Sequence, residues 1–342
     1  MTTWNDLLDV AIQCPSPHNV QPWHVRIVNE CEADLFIEVA RTLPKADPGG
    51  SVIILTMGMF LDALSITAAN HGLEFEYEMY HDPRYYPPLF LKSTEKILPF
   101  ARMKICPGTP SASPYADRLF FTRRTSRISL DPRPVEQSAF LALSRLASEW
   151  GQRYVQITDS VLIERIVNLN IDAVFEDMNT PDFHDELTTW FRFTNRSSRR
   201  TRDGLDFRCM NTSRTSLWIS ARFPRLLQNR ISHPLFRMVY HSQLGTIPTM
   251  GLFAGDGFWE PELAMRTGRF LLRFWLEATK HGLYIHPYGN LVTNQKAATR
   301  ILENTGTEKI WFVFKIGHSK EPPKSYRRPI AKRPDASLCA NA

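Results

Sequence analysis

Apolar positions recur at helical spacing over residues 4–13, 135–150, 160–178 and 294–304, and run extended over 24–30, 34–40, 74–80, 102–106, 284–288 and 309–316. The longest apolar run, 51–69, is broken by Asp62 and predicts a buried core helix rather than a membrane span. Pro15 ends the first helix, and a polar, proline-bounded loop follows at 14–23. A Pro/Gly loop at 43–50 precedes the core helix, and an aromatic, proline-rich excursion fills 82–99. Residues 107–114, rich in Pro, Ser and Gly, form the best linker, followed by an opening segment at 115–127. A helix is expected to continue through 185–196, whereas 201–246 is Arg-rich with no clean period. Helices mixed with short strands predict an α+β fold, central antiparallel sheets flanked by helices.

Two stretches match without a gap. Gly58, Phe60, Leu61, Ala68, His71, Gly72 and Leu73 are identical to Gly268, Phe270, Leu271, Ala278, His281, Gly282 and Leu283. Both are helical by period, both stop at His-Gly, where glycine supplies a left-handed position, and both lead into an extended run. The match predicts an internal duplication, a first half at 1–110 and a second at 111–342, packed as a single-chain pseudo-dimer with the matched helices meeting at the axis. Residues 201–246 have no counterpart in the first half and form a candidate lid insertion.

With 342 residues, 43% hydrophobic and 22% charged, the chain can bury a sizeable core. A net charge of +6 admits anionic small molecules without demanding nucleic acid. Basic residues crowd at 192–202 and at 315–333. The five cysteines, Cys14, Cys31, Cys106, Cys209 and Cys339, are widely spaced with no CxxC, which argues against a disulfide framework or a structural zinc site; no metal is expected. Residues 1–10 carry Asp6 and Asp9 and no basic leader, so the expected compartment is the cytoplasm, with no membrane or nucleic-acid partner.

The most specific chemistry lies in Pro15-Ser16-Pro17-His18-Asn19-Val20-Gln21-Pro22-Trp23. The prolines restrict the backbone, Trp23 offers a core anchor, and Ser16, His18, Asn19 and Gln21 are pre-positioned for the polar edge of a planar heterocycle. The same side chains could instead satisfy neighbouring backbone. Arg123-Arg124-Thr125-Ser126-Arg127 clusters forked donors suited to phosphate, or forms an exposed basic turn.

Pro-Ser-x-His-Asn-x-Gln-Pro-Trp after a first helix resembles the FMN-contacting loop of the nitroreductase superfamily, and the His variant is similar to its fused, single-chain, Acg-like branch. By that resemblance Arg123 and Thr125, with Arg124 beside them, would hold the FMN phosphate and ribityl chain, and Arg127 would sit by the flavin N1/C2 edge. Pro287-Tyr288-Gly289-Asn290 resembles the stretch whose backbone approaches N5, with Gly289 where many relatives carry Glu and Asn290 where they carry Gly. Ser325-Tyr326-Arg327-Arg328-Pro329 resembles the terminal phosphate clamp, with Arg327 matching its Arg, Ser325 replacing its Lys and Arg328 as a substitute contact. The loop lies in the first half only and the other pieces in the second, which has Ile285-His286-Pro287 where the first has Phe75-Glu76-Tyr77. The implied outcome is one FMN per chain held jointly by the halves, so that a monomer suffices.

The resemblance implies an FMN-dependent oxidoreductase. It would pass hydride through flavin N5 between a nicotinamide nucleotide, NADH or NADPH, or an organic donor and a small organic acceptor. No catalytic acid is assigned beyond His18 as a candidate. The alternatives are an FMN-sequestering protein, with 201–246 closing the flavin off, and a degenerate flavin-free scaffold.

Overall fold

A computed structural model of the chain describes residues 2–330 apart from 112 and 228; Cys339 and the end of the basic tail, 331–333, lie outside the described residues. Internal contacts divide the chain into two compact units. The first combines residues 2–122, 258–273 and 327–330; the second comprises 123–257 and 274–326.

In the first unit β1 (Trp23–Ile27), β2 (Glu32–Glu38), β3 (Leu73–Met79) and β4 (Ile97–Pro107) form an antiparallel sheet of order β1-β2-β4-β3. The Ser51–Asn70 helix is long and apolar enough to cross a membrane by composition, but it is mostly buried within the protein. Asp62, 1% exposed, receives the forked Arg273 guanidinium at 2.8 and 2.9 Å and Arg269 at 3.3 Å. The matched glycines are the contact between this helix and residues 261–273. A Cβ on Gly58 would lie 2.3 Å from the Met265 carbonyl oxygen, and one on Gly268 would lie 2.0 Å from that of Leu55. Gly72 and Gly282 both take φ +71°, ending the two helices in the way the His-Gly signal predicts.

In the second unit β5 (Arg153–Ile157) is followed by a two-residue parallel pair, β6 (Phe191–Arg192) and β7 (Leu205–Asp206), then by β8 (Met250–Ala254), β9 (Tyr284–Pro287) and β10 (Ile310–Gly317). The main sheet is again antiparallel, of order β5-β8-β10-β9, so the two sheets use their strands in the same first-second-fourth-third sequence. Its apolar core includes Ile166, Ile171, Met250, Leu252, Tyr288, Leu291 and Val313.

Four segments depart from the pattern reading. β8 is buried at all five positions, so it carries no alternation to mark it as a strand, and β5 is too short to stand out before the long helix Ser160–Met178. The helix expected over 185–196 is two helices, Pro181–Thr189 and Asn195–Thr201. Thr194 starts the second as a capping box: its hydroxyl accepts from the Ser197 N–H at 3.0 Å and Ser197 Oγ accepts from the Thr194 N–H at 3.3 Å. Residues 201–246, unreadable by period, fold mainly into the helices Arg214–Arg222 and His233–Leu244.

Candidate functional site

The first unit shapes the Pro15–Trp23 loop. Trp23 is 3% exposed and stacks on Phe60 of the core helix at 4.8 Å between ring centroids. Pro17–Asn19 makes one 3₁₀ turn, and His18, Asn19 and Gln21 take φ of 46°, 54° and 54°. Three left-handed non-glycine residues within four positions store strain that the surroundings must hold. The holding contacts are explicit. Ser16 Oγ accepts from the Gln21 N–H at 3.0 Å, and the fully buried Gln21 side chain donates to the Asn19 carbonyl at 3.3 Å.

Arg327 and Arg328 belong to this same unit. Arg327 Nη1 donates to Asn19 Oδ1 at 3.0 Å, and Nη2 donates to the Gln13 carbonyl at 3.3 Å. The Arg328 N–H donates to Gln21 Oε1 at 2.8 Å, while its guanidinium meets Glu38 through Nη1 and Nη2, each 3.0 Å from Oε1. Thus Arg328 is engaged by Glu38 and braces the loop, and Arg327 lies against Asn19. Pro15 and Gln21 are buried, whereas Ser16, Pro17, His18 and Asn19 are half-buried and reach solvent.

In the second unit the arginine run lies beside β9. Thr125 forms a parallel bridge with Ile285, and the Ser126 N–H donates to the Ile285 carbonyl at 3.0 Å. Arg123, 5% exposed, stands 4.8 Å over the Trp275 ring, and Arg124 reaches Glu321 at 3.3 Å. Arg127 Nη1 donates to the Cys209 carbonyl at 3.0 Å, and Asn211 Nδ2 donates to the Arg127 carbonyl at 3.2 Å. Two residues of the 201–246 insertion therefore fix Arg127.

Around Arg127 the structure gathers groups that the sequence reading did not single out. Lys315 on β10 is fully buried and donates to the carbonyls of Ile128 at 2.8 Å and Leu244 at 3.0 Å. Burial, with the Arg127 charge added, pushes its amine down to about 7. Burial first, then the charges of Arg127 and Lys315, hold the His286 imidazole well below its usual value. Its Nδ1 has no hydrogen-bond partner among the described residues. The charges acting on this trio come from one another and from Cys209 and Tyr240; no carboxylate is among them. A half-buried Arg127 charge that no carboxylate among the described residues pairs with is a place for an anion. The signal in sequence was weak: a single Lys inside the apolar run Ile310–Gly317.

Pro287 closes β9, and Tyr288 is 2% exposed, its N–H donating to the Val313 carbonyl at 2.7 Å, its ring edge-on to His286. Gly289 is exposed with nothing within 4 Å of a built Cβ, which leaves its backbone open to a flat ligand. The Asn290 amide is turned away to Asp177 at 2.7 Å, joined by Asn294 at 2.8 Å. Ser325 Oγ lies 3.5 Å from the buried Cys209 sulfur.

No family model matches the chain. Proteins from two strains of Mycobacterium tuberculosis, each named "Putative NAD(P)H nitroreductase", are 24% identical to it over 189 residues, 55% of this chain and 51% of the relative. The match spans about half the length of these curated relatives. Among solved structures, the FMN-dependent nitroreductase NfnB from Mycobacterium smegmatis in complex with NADPH aligns over 60% of this chain and 87% of its own, at 15% identity and TM-score 0.36. A nitroreductase with bound FMN from Desulfitobacterium hafniense aligns over 62% and 92%, at 14% identity and TM-score 0.34.

Proposed function

We propose that this chain, which is similar in sequence to curated nitroreductases, is an FMN-binding oxidoreductase. When bound, FMN supplies hydride transfer at its N5 atom between NADH, NADPH or an organic donor and a small organic acceptor. The residues proposed to hold it in the second unit are Arg123, Arg124 and Thr125 for the phosphate and ribityl chain and Arg127 for the N1/C2 edge. Gly289, between Pro287, Tyr288 and Asn290, would offer its open backbone. In the first unit Ser16, His18 and Asn19, on the loop framed by Pro15, Pro17 and Gln21, would meet the polar edge of the ring. Arg327 would add charge beside Asn19, with Arg328 as its brace.

The observation that carries this reading is the half-buried Arg127 beside the buried Lys315 and His286, none of which pairs with a carboxylate among the described residues. Such a centre stabilises negative charge developing on a reduced ring and lets the protein set the ease of reduction. Lys315 does this through position: its two N–H groups hold Ile128 and Leu244, which frame Arg127. His286, neutral, adds no competing charge.

The test is the visible spectrum of the purified protein. A band near about 450 nm, at one flavin per chain, is expected from the bound cofactor. A colourless protein that takes up no added FMN would sink the assignment. Arg123→Ala should weaken FMN binding roughly tenfold or more, since a charge-assisted contact is worth ~1.5–3 kcal/mol. A second reading, sequestration with little turnover, is favoured by the two bonds from Cys209 and Asn211 to Arg127. Anaerobic mixing with NADPH separates the two: rapid bleaching supports the enzyme, and a persistent yellow colour supports sequestration.

A further inference from the structure

Between Asp206 and Asp256 the chain carries no acidic residue, yet it holds Arg208, Arg214, Arg222, Arg225, Arg230 and Arg237. Arg208 pairs with Asp206 and Arg237 with Asp172. Arg214, Arg222, Arg225 and Arg230 are exposed and make no ion pair among the described residues. The same segment concentrates large exposed apolar side chains: Trp218, Phe223, Leu226, Ile231, Leu235, Met238 and Val239, with Ile231 90% exposed.

The helix His233–Leu244 shows how this arises. Phe236, Tyr240 and Leu244, spaced at one turn, face the core of the second unit. Leu235, Met238 and Val239 fall on the opposite face and remain exposed. The helix is thus apolar on both sides, which a solvated surface helix is not. Nearby, Trp218 and Phe223 meet edge to face at 5.8 Å, and the Arg222 guanidinium lies 5.7 Å over the Phe223 ring.

We propose that this face, built on residues 214–227 and 229–239, docks on the surface of an anionic phospholipid bilayer. Apolar side chains would enter the acyl boundary while the arginines meet headgroup phosphates. The charge selects this occupant. A second copy would bring arginines against arginines, and a nucleic-acid surface would be met by hydrogen-bonding side chains rather than Ile231, Leu235 and Met238. Peripheral docking needs no spanning helix and departs from the expectation of no membrane partner. It stands apart from the flavin reading, since none of these residues is assigned to the cofactor.

The experiment is co-sedimentation of the full chain with vesicles of phosphatidylcholine, alone or mixed with phosphatidylglycerol, at low and high salt. Binding is expected only to the anionic vesicles and should weaken as salt rises. Arg222→Glu/Arg225→Glu/Arg230→Glu should lower partitioning at least about 100-fold, at roughly fivefold per arginine. Ile231→Ser/Leu235→Ser/Met238→Ser should lower it about tenfold or more while keeping the salt dependence. Circular dichroism and thermal melting confirm that each variant folds. Failure of the wild type to prefer anionic vesicles overturns the proposal. So does full binding by either folded variant, an apolar variant that instead splits a dimer in sedimentation velocity, or arginine-dependent binding to duplex DNA that the serine changes leave intact.

Discussion

In the first sheet β1 passes to β2 through residues 28–31; in the second, β5 reaches β8 only after residues 158–249, though the strand order is the same. The short turn leaves β1 and β2 a plain hairpin, with Asn29 Oδ1 accepting from the Cys31 and Glu32 N–H groups at 2.9 and 2.8 Å. The long excursion carries much of what fixes Arg127: Cys209, Asn211 and, through Lys315, Leu244. The buried charges differ in the same sense. Asp34 on β2 is fully buried but receives Arg26 at 2.7 Å, Tyr80 at 2.7 Å and Arg102. Lys315 on β10 is equally buried with only carbonyls for partners. A self-satisfied sheet and one left electrically open teach that strand order constrains the scaffold, while a single connection decides where chemistry can reside.

The largest effect should come from the matched glycines. Gly58→Ala and Gly268→Ala each push a methyl into a backbone carbonyl, so each should cost about 3 kcal/mol or more, above the ordinary overpacking cost. Denaturant unfolding measures this. Similar losses would mark the two positions as equivalent; a loss at one alone would break the equivalence.

Next, Arg328→Ala should lower both stability, by about 1–2 kcal/mol, and flavin occupancy, because it releases Glu38 and the strained loop. Arg127→Ala should lower flavin occupancy with little loss of stability, since it removes a half-buried charge that no carboxylate among the described residues offsets. Melting curves read beside flavin content would separate a brace from a ligand contact. Equal stability losses in the two would erase that distinction.

Much of this was legible. The loop, both matched helices and the helix Ser160–Met178 announced themselves by proline placement, a shared His-Gly exit and strong apolar period. The family motif singled out Arg327, which the fold sets against Asn19. β8 was hidden because a strand buried at every position has no polar face to alternate with. Lys315 was read as the start of a basic tail because the run of cations from 315 to 333 masks the one that the fold buries on β10. The role of Arg328 could not be read either, since its partners Gln21 and Glu38 come from remote chain.

The smallest effects are in pH. Burial raises the Asp34 carboxyl, but its three donors more than offset that and leave it below the usual value of 3.8. Its contribution is therefore full above about that pH and lost as pH falls through the lower folded value. Lys315 acts in the same direction but at higher pH. Its folded value of about 7 lies below 10.5, so the unfolded chain binds more protons in that interval and stability rises with pH across it. Lys315→Met should flatten the alkaline slope and leave the acid limb unchanged, and Asp34→Asn should do the reverse. Unfolding curves across pH check this; a slope that persists in Lys315→Met would place its origin elsewhere.

The Arg327–Asn19 bond joins residues 308 apart in sequence. During synthesis the amino-terminal turn leaves the ribosome long before its tether is made, a delay of roughly 15–60 s at ~5–20 residues per second. Until then its left-handed backbone is held by its local contacts, Ser16 to Gln21 and Gln21 to Asn19, without the Arg327 bond. A chain that ends before residue 327 would carry this turn without the Arg327–Asn19 bond that joins it to the carboxyl end.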